Sequence, residues 1–294
     1  MSKINKFWLL LLLMAALAMT IGINMACDDD DDDDNDDNDE GDDDDTGDDD
    51  TSDDDVLDDD DDDNDTGDDD VIEPGKLGGT TKDNKSLALL KGAEVNLVDD
   101  ESGDLLGVSG FSDPETAYII LDVPTAYELA TIGVKVAFEG YMDTYQYHFN
   151  IGVTNEDFYG INEDIVEAMA LLLPGVSIDD TKGHAAGAVY WGDPTDEEPI
   201  GCAMITMDPA QEEIHYMNNL GIPFGGRDDE GTNPLDGKFV ALNVDPGGPY
   251  TITATVDDDE VSVTLPKVVA NSVNIASIYF NKTDFPEKPG CDAE

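Results

Sequence analysis

The side chains able to do chemistry fall into three sparse groups. His148, His184 and His215 are the only histidines in 294 residues and are widely spaced. Cys27, Cys202 and Cys291 are equally far apart. Carboxylates, by contrast, are crowded: residues 28–70 hold 30 aspartates and one glutamate, with no lysine or arginine. No His-Glu-x-x-His pair, nucleophile elbow or glycine-rich phosphate loop occurs, so zinc hydrolysis, acyl transfer and nucleotide chemistry lack their usual residues. His148 alternates with Tyr145, Tyr147 and Phe149, a pattern of strand packing or surface rather than of a ligand. His215 and Tyr216 are adjacent, with no second histidine close in sequence. The expectation is a protein that is not an enzyme.

One spacing in the carboxylate tract has metal meaning. Asp62, Asn64, Thr66, Asp68 and Glu73 fall at the first, third, fifth, seventh and twelfth positions of a calcium loop, with Gly67 sixth. The eighth position, apolar in such loops, is Asp69, and no flanking helices are visible. Diffuse, weak divalent-cation binding is the broader expectation, with calcium the candidate ion and no other cofactor implied. The acidic loops 192–198 and 257–260 are further places where calcium could collect. A binding loop is expected at 208–236, which carries His215, Tyr216, Phe224 and Arg227 and is long for a connection between strands.

These groups need elements to hold them, and the first 86 residues offer none with a core. Residues 28–70 have almost no apolar content beyond Val56 and Leu57. Self-repulsion without hydrophobic burial predicts a disordered spacer. Fully extended, it reaches at most about 140 Å at ~3.3 Å per residue. From Val71 to about Ser86 the chain is polar, contains Gly78-Gly79, and reads as a linker.

Ahead of the tract, Lys3 and Lys6 precede an apolar run from Phe7 to Met19, then small or neutral residues to Ala26 and Cys27. That is the order of an export signal, and the run is short for a membrane span. Met25-Ala26-Cys27 resembles the end of a bacterial lipoprotein signal, whose cysteine is acylated and becomes the first residue. Asn24 stands where that family prefers Leu, Val or Ile. The resemblance implies residues 1–26 as signal peptide, lipidation of Cys27, and an exported protein held to a membrane of the cell envelope. The outer membrane or cell surface is favoured over the inner membrane, although Asp28 resembles the inner-membrane retention signal of some bacteria. An ordinary secretory signal with an incidental cysteine is the alternative. Export places Cys202 and Cys291 in an oxidising compartment, where they form either a disulfide or two free thiols. A bridge would close a loop of about 90 residues, worth about 4 kcal/mol by chain entropy.

Charge limits the partners. The chain carries a net −58, and residues 71–294 alone hold 40 acids against 11 bases. Nucleic-acid binding is excluded for want of clustered Lys and Arg. Protein or glycan partners remain, with the membrane reached only through the lipid.

Beyond residue 86 the patterning is that of strands. Ala93–Val98, Ala117–Val123, Ile132–Phe138 and Thr144–Ile151 predict one β unit over 87–160. Asn162 caps a predicted helix with Ile165, Val166, Met169, Leu172 and Leu173 on one face, within a connecting segment 161–181. Gly183–Tyr190, Cys202–Met207, Gly237–Val244, Tyr250–Val256, Val261–Leu265 and Val273–Phe280 predict a second unit over 182–294. The two runs read as divergent copies, Lys91 laid on Ile200, Tyr118 on Phe239 and Val134 on Thr251. Pro199-Ile-Gly-Cys-Ala203, Gly237-Lys-Phe239 with Asn243-Val-Asp-Pro-Gly247, and Tyr250-Thr-Ile-Thr-Ala254 resemble carboxypeptidase regulatory-like domains. That resemblance implies a mostly β chain: two Greek-key transthyretin-like sandwiches joined by a short helix, after the disordered Asp-rich tract. It marks a fold and not a reaction. The functional expectation is a membrane-anchored lipoprotein displaying non-catalytic sandwich modules for protein or glycan binding or envelope structure. The alternatives are a calcium-binding or cation-buffering surface protein and a non-catalytic accessory of a secreted hydrolase.

Overall fold

The computed structural model describes residues 75–127, 131–153, 155–211, 214–218, 222–223 and 230–291. Within them the protein is mostly β, with several sheets in a sandwich-like arrangement and one α-helix. The first half contributes β1 (Lys76–Asp83), β2 (Glu94–Asp99), β3 (Leu105–Phe111), β4 (Tyr118–Asp122), β5 (Thr131–Ala137), β6 (Tyr141–Asn150) and β7 (Glu156–Asn162). Helix α1 (Glu163–Leu172) follows. The second half contributes β8 (Gly183–Asp193), β9 (Asp196–Pro199), β10 (Met204–Asp208), β11 (Ile214–Tyr216), β12 (Lys238–Val244), β13 (Tyr250–Val256), β14 (Asp259–Leu265), β15 (Ser272–Ile275) and β16 (Ile278–Phe280).

Strands β3-β2-β5-β6 form one wall of the first half, and β4-β1-β7 the other. Alternation places Val95, Leu97, Val134 and Val136 inward against Leu77, Leu121 and Phe158, all nearly or wholly buried. The linker expected over 71–86 is corrected here: it contains β1, which pairs antiparallel with β4 and parallel with β7. Gly79 reads as a breaker but is needed where it is. A Cβ there would lie 2.6 Å from the Glu156 carbonyl oxygen and 2.7 Å from Phe158 Cζ.

In the second half, β11-β12-β8 and the separate sheet β10-β13-β14 enclose a core of Val189, Ile205, Phe239, Ile252, Leu265 and Phe280. The acidic loop expected at 192–198 is a hairpin, with β8 and β9 paired from Tyr190↔Pro199 to Asp193↔Asp196. The two halves share a sheet. β15 lies parallel between β6 and β8, so the order runs β5-β6-β15-β8-β12. Asn162 caps α1 as expected, its Oδ1 accepting from Asp164 N at 2.9 Å. The helix seats Val166 on Met142 and Val273, across the junction of β6 and β15.

The internal repeat is real in local geometry, with a register one residue from that read in the sequence. In the first half Ser112 Oγ donates to Leu90 O and accepts from Ala93 N, both at 3.0 Å. In the second, Thr232 Oγ1 donates to Ile200 O at 2.7 Å and accepts from Ala203 N at 3.0 Å. Ser112-Asp-Pro-Glu-Thr-Ala117 therefore corresponds to Thr232-Asn-Pro-Leu-Asp-Gly237, and Ala117 and Gly237 share a left-handed φ of 60° and 64°. Leu90, not Lys91, matches Ile200, and Tyr118 matches Lys238 rather than Phe239. A one-residue slip exchanges the faces of a strand. Only the corrected register puts buried Ile119 on buried Phe239.

Candidate functional site

Cys27, the loop pattern Asp62, Asn64, Thr66, Asp68 and Glu73, and the binding-loop residues Phe224 and Arg227 lie outside the described residues. Among the described residues, no group of three or more His, Cys, Asp or Glu is arranged to hold a metal ion. The carboxylates of the β8–β9 hairpin have local employment. Asp193 accepts from Thr195 N and Oγ1, and Lys282 Nζ pairs with Asp196 at 2.6 Å while lying 4.4 Å over the Trp191 ring.

Cys202 and Cys291 are joined as a disulfide with Cα atoms 5.6 Å apart, closing 89 residues. Chain entropy makes such a closure worth about 4–5 kcal/mol. Of the expected binding loop, Tyr216 is a core residue. It is 2% exposed, and its Oη accepts from Ile205 N at 2.8 Å. His215 precedes it on β11 and is half-buried. His184 is buried in the sheet, where desolvation lowers its pKa to about 4 and Nδ1 accepts from Asn243 N at 3.3 Å. His148 sits between the halves, bonded to Asp100 and to Thr264.

The structure assembles a different candidate, invisible as a motif. Beyond Met142 and Ile161, β7 parts from β6, and side chains replace the missing ladder. Gln146 Nε2 donates to Tyr159 O and Gln146 Oε1 accepts from Tyr159 N, both at 3.2 Å. Thr144 Oγ1 accepts from Ile161 N at 3.1 Å. The splay opens a cleft of about 460 Å³ over the shared sheet, within the usual range of ligand pockets. Its floor is low because β8 presents Ala186 and Ala188 beside Ile275 and Ser277. Gly187 between them has no room for a Cβ, which would lie 2.1 Å from Ala276 O.

Tyr159 of β7 forms one wall, and Tyr190 of β8 with Tyr279 of β16 the other. The last two rings are stacked with centroids 5.6 Å apart and planes 25° from parallel. Tyr159 Oη donates to Asp157 at 3.2 Å, and Tyr279 Oη to Glu197 at 2.6 Å. Burial, with the charges of Glu197 and Asp236, raises the Tyr190 pKa to about 12, so all three phenols are neutral near pH 7. Glu156 lines the same cleft. Burial first, then the charges of Asp157 and Glu197, raise its pKa. The Glu156 carboxylate receives no hydrogen bond among the described residues, whereas Asp157 is paired with Lys82 at 2.6 Å. The arrangement is an aromatic slot lined by carboxylates.

No protein-family model and no curated protein matches the sequence. Among solved structures, a streptococcal ancillary pilin is similar at 14% identity and a TM-score of 0.22, over 69% of this chain and 61% of that one. The chain thus spans under two thirds of that pilin's length. Shaft pilin SpaA from Lactobacillus rhamnosus GG aligns at 11% identity and TM-score 0.21, covering 69% of this chain and 96% of the pilin. The minor pilin GBS52 of Streptococcus agalactiae aligns at 8% and 0.21, covering 69% and 94%. Likeness at this level carries no inference about activity.

Proposed function

We propose that this chain is an envelope lipoprotein that presents a non-catalytic β-sandwich body as a binding module for protein or glycan. In this reading Cys27 carries the acyl chains, the aspartate tract 28–70 is the spacer, and the body is held outward at the cell surface. The observation that carries the non-catalytic reading is how the reactive side chains are spent. His148 bridges the halves, His184 packs beneath the cleft, and Cys202 and Cys291 close a disulfide. A disulfide of this kind suits an exported protein. The anchor is supported by the order Lys3, Lys6, Phe7–Met19, Ala26, Cys27, followed at once by the charged tract. Several acyl chains anchor stably where one does not.

The test is metabolic labelling of expressing cells with a fatty-acid probe, followed by membrane fractionation. Wild type takes up label and sediments with membranes, and Cys27→Ser loses both. An unlabelled wild type, or label that survives the substitution, ends the anchoring reading.

A further inference from the structure

The cleft between Tyr159 and the Tyr190–Tyr279 stack has a chemical polarity that narrows its occupant. The Tyr159 and Tyr279 hydroxyls spend their protons on Asp157 and Glu197. The Gln146 amide is used at both ends by the Tyr159 backbone. The charged groups left for a ligand are mainly acceptors: the Glu156 carboxylate and the unused lone pairs of Glu197. Donors line the cleft as well: Tyr190 Oη and Lys238 Nζ on the β8–β12 side, where Lys238 is opposite Ala188 in the ladder, and the amides of Asn84, Asn150 and Asn155. A sugar ring brings donors and acceptors together on each hydroxyl, whereas an ammonium or guanidinium group brings donors only. Aromatic faces beside carboxylates suit a flexible apolar stem that ends in positive charge.

We propose that this cleft captures a lysine or arginine side chain of a basic protein partner, its stem against the Tyr190–Tyr279 rings and its charged head between Glu156 and Glu197. The proposal rests on the reading of the chain as a binding module, but not on the acyl anchor. Charge complementarity extends beyond the cleft: a net −58 draws basic partners in and disfavours acidic ones. The aspartate tract gathers such partners without discrimination, and the cleft supplies the geometry that selects one side chain.

The test titrates the full chain, in detergent, with the monovalent probe N-acetyl-lysine amide by calorimetry. Its uncharged counterpart N-acetyl-norleucine amide and the neutral sugar cellotriose serve as comparisons. Glu156→Gln removes the charge at constant shape and leaves the tract intact, so a difference from wild type reports the cleft alone. We expect one saturable site for the lysine probe, weakened about tenfold in Glu156→Gln, the factor carried by one charge-assisted hydrogen bond. Tyr190→Ala, checked for an unchanged circular dichroism spectrum, weakens it similarly, and the norleucine probe does not bind. Identical titrations for wild type and Glu156→Gln, or no saturable site, overturn the proposal. Cellotriose binding that is lost in Tyr190→Ala assigns the cleft to glycan instead and overturns it too. None of these outcomes bears on labelling of Cys27, so the two readings fail separately.

Discussion

His148 is bonded twice to Asp100: its backbone N–H donates to Oδ1 at 2.9 Å, and ring Nδ1 lies 2.8 Å from Oδ2. The other ring nitrogen, Nε2, lies 2.9 Å from Thr264 O. A carboxylate and a carbonyl only accept, so both ring nitrogens must donate, and the imidazolium is the form that satisfies the site. His148 is on β6 and Thr264 on β14, which makes the ring a clamp between the halves. Tyr147 Oη, donating to Lys267 O at 3.2 Å, and Lys267 Nζ, paired with Asp104 at 2.7 Å, reinforce the same seam. The backbone at His148 is left-handed, with φ of 71°, a conformation the surroundings must hold for a non-glycine residue.

The clamp gives stability a pH window. Burial opposes charge on His148, but the hydrogen bond and charge of Asp100 outweigh it, and the histidine pKa is raised above its ordinary 6.5. Burial likewise opposes ionised Asp100, and the His148 interactions outweigh it, lowering that carboxyl below 3.8. The histidine's contribution is therefore complete below about pH 6.5 and lost as pH rises through the raised value. The aspartate's is complete above about pH 4 and lost as pH falls through the lowered one. His148→Ala should lower the melting temperature most between about pH 4 and 6.5, with the gap narrowing on the alkaline side. A gap independent of pH would show that the ring is neutral in the fold.

His184 should push the other way. It is 1% exposed, and burial lowers its pKa from 6.5 to about 4. The unfolded chain takes up a proton there before the folded one does, so stability falls as pH drops from about 6.5 to 4, by up to about 3 kcal/mol. In His184→Gln, urea unfolding measured across that range should show a flatter acid limb than wild type. An unchanged slope would mean that the ring is protonated in place.

The corner hydroxyls Ser112 and Thr232 should both carry a cost, the larger one at Thr232. Each ties one carbonyl and one amide across a buried turn. Removing Thr232 Oγ1 strands Ile200 O and Ala203 N, whereas after loss of Ser112 Oγ the Leu90 carbonyl still accepts from Thr81 Oγ1 at 2.6 Å. Thr232→Val is expected to cost about 1–3 kcal/mol in chemical denaturation, the usual penalty for a buried unsatisfied group, and Ser112→Ala less. Loss at one position only would show that the two halves do not depend on a shared corner.

The strands with strict alternation or β-branched runs were legible: β2, β4, β5, β6, β12 and β13 fall where the pattern predicts. Helix α1 was legible from Asn162 and its apolar spacing. What escaped was set by neighbours rather than by periodicity. β1 hides behind Gly78-Gly79, since the glycine signal reflects the close approach of Phe158 from β7. The hairpin at Asp193–Asp196 looks like an acidic loop because its tip is exposed and its charge is met by Lys282, 86 residues away. The repeat was visible but slipped by one residue, because apolar runs such as Phe239–Leu242 are buried on both faces and fix no register. The cleft had no sequence signal at all. Its tyrosines and carboxylates come from β7, β8, β9 and β16 and meet only once β7 has splayed from β6.

The position of β15 bears on how the newly made chain matures. Four residues, Ser272–Ile275, fill the slot between β6 and β8, each already complete many residues earlier. Until they arrive, both neighbours present bare amides and carbonyls, the surface on which nascent chains mispair with one another. Chain order and quality control are thereby linked: a polypeptide stalled before that short segment is left sticky at its midline, open to capture by holdases and proteases. Only one that has passed it is sealed.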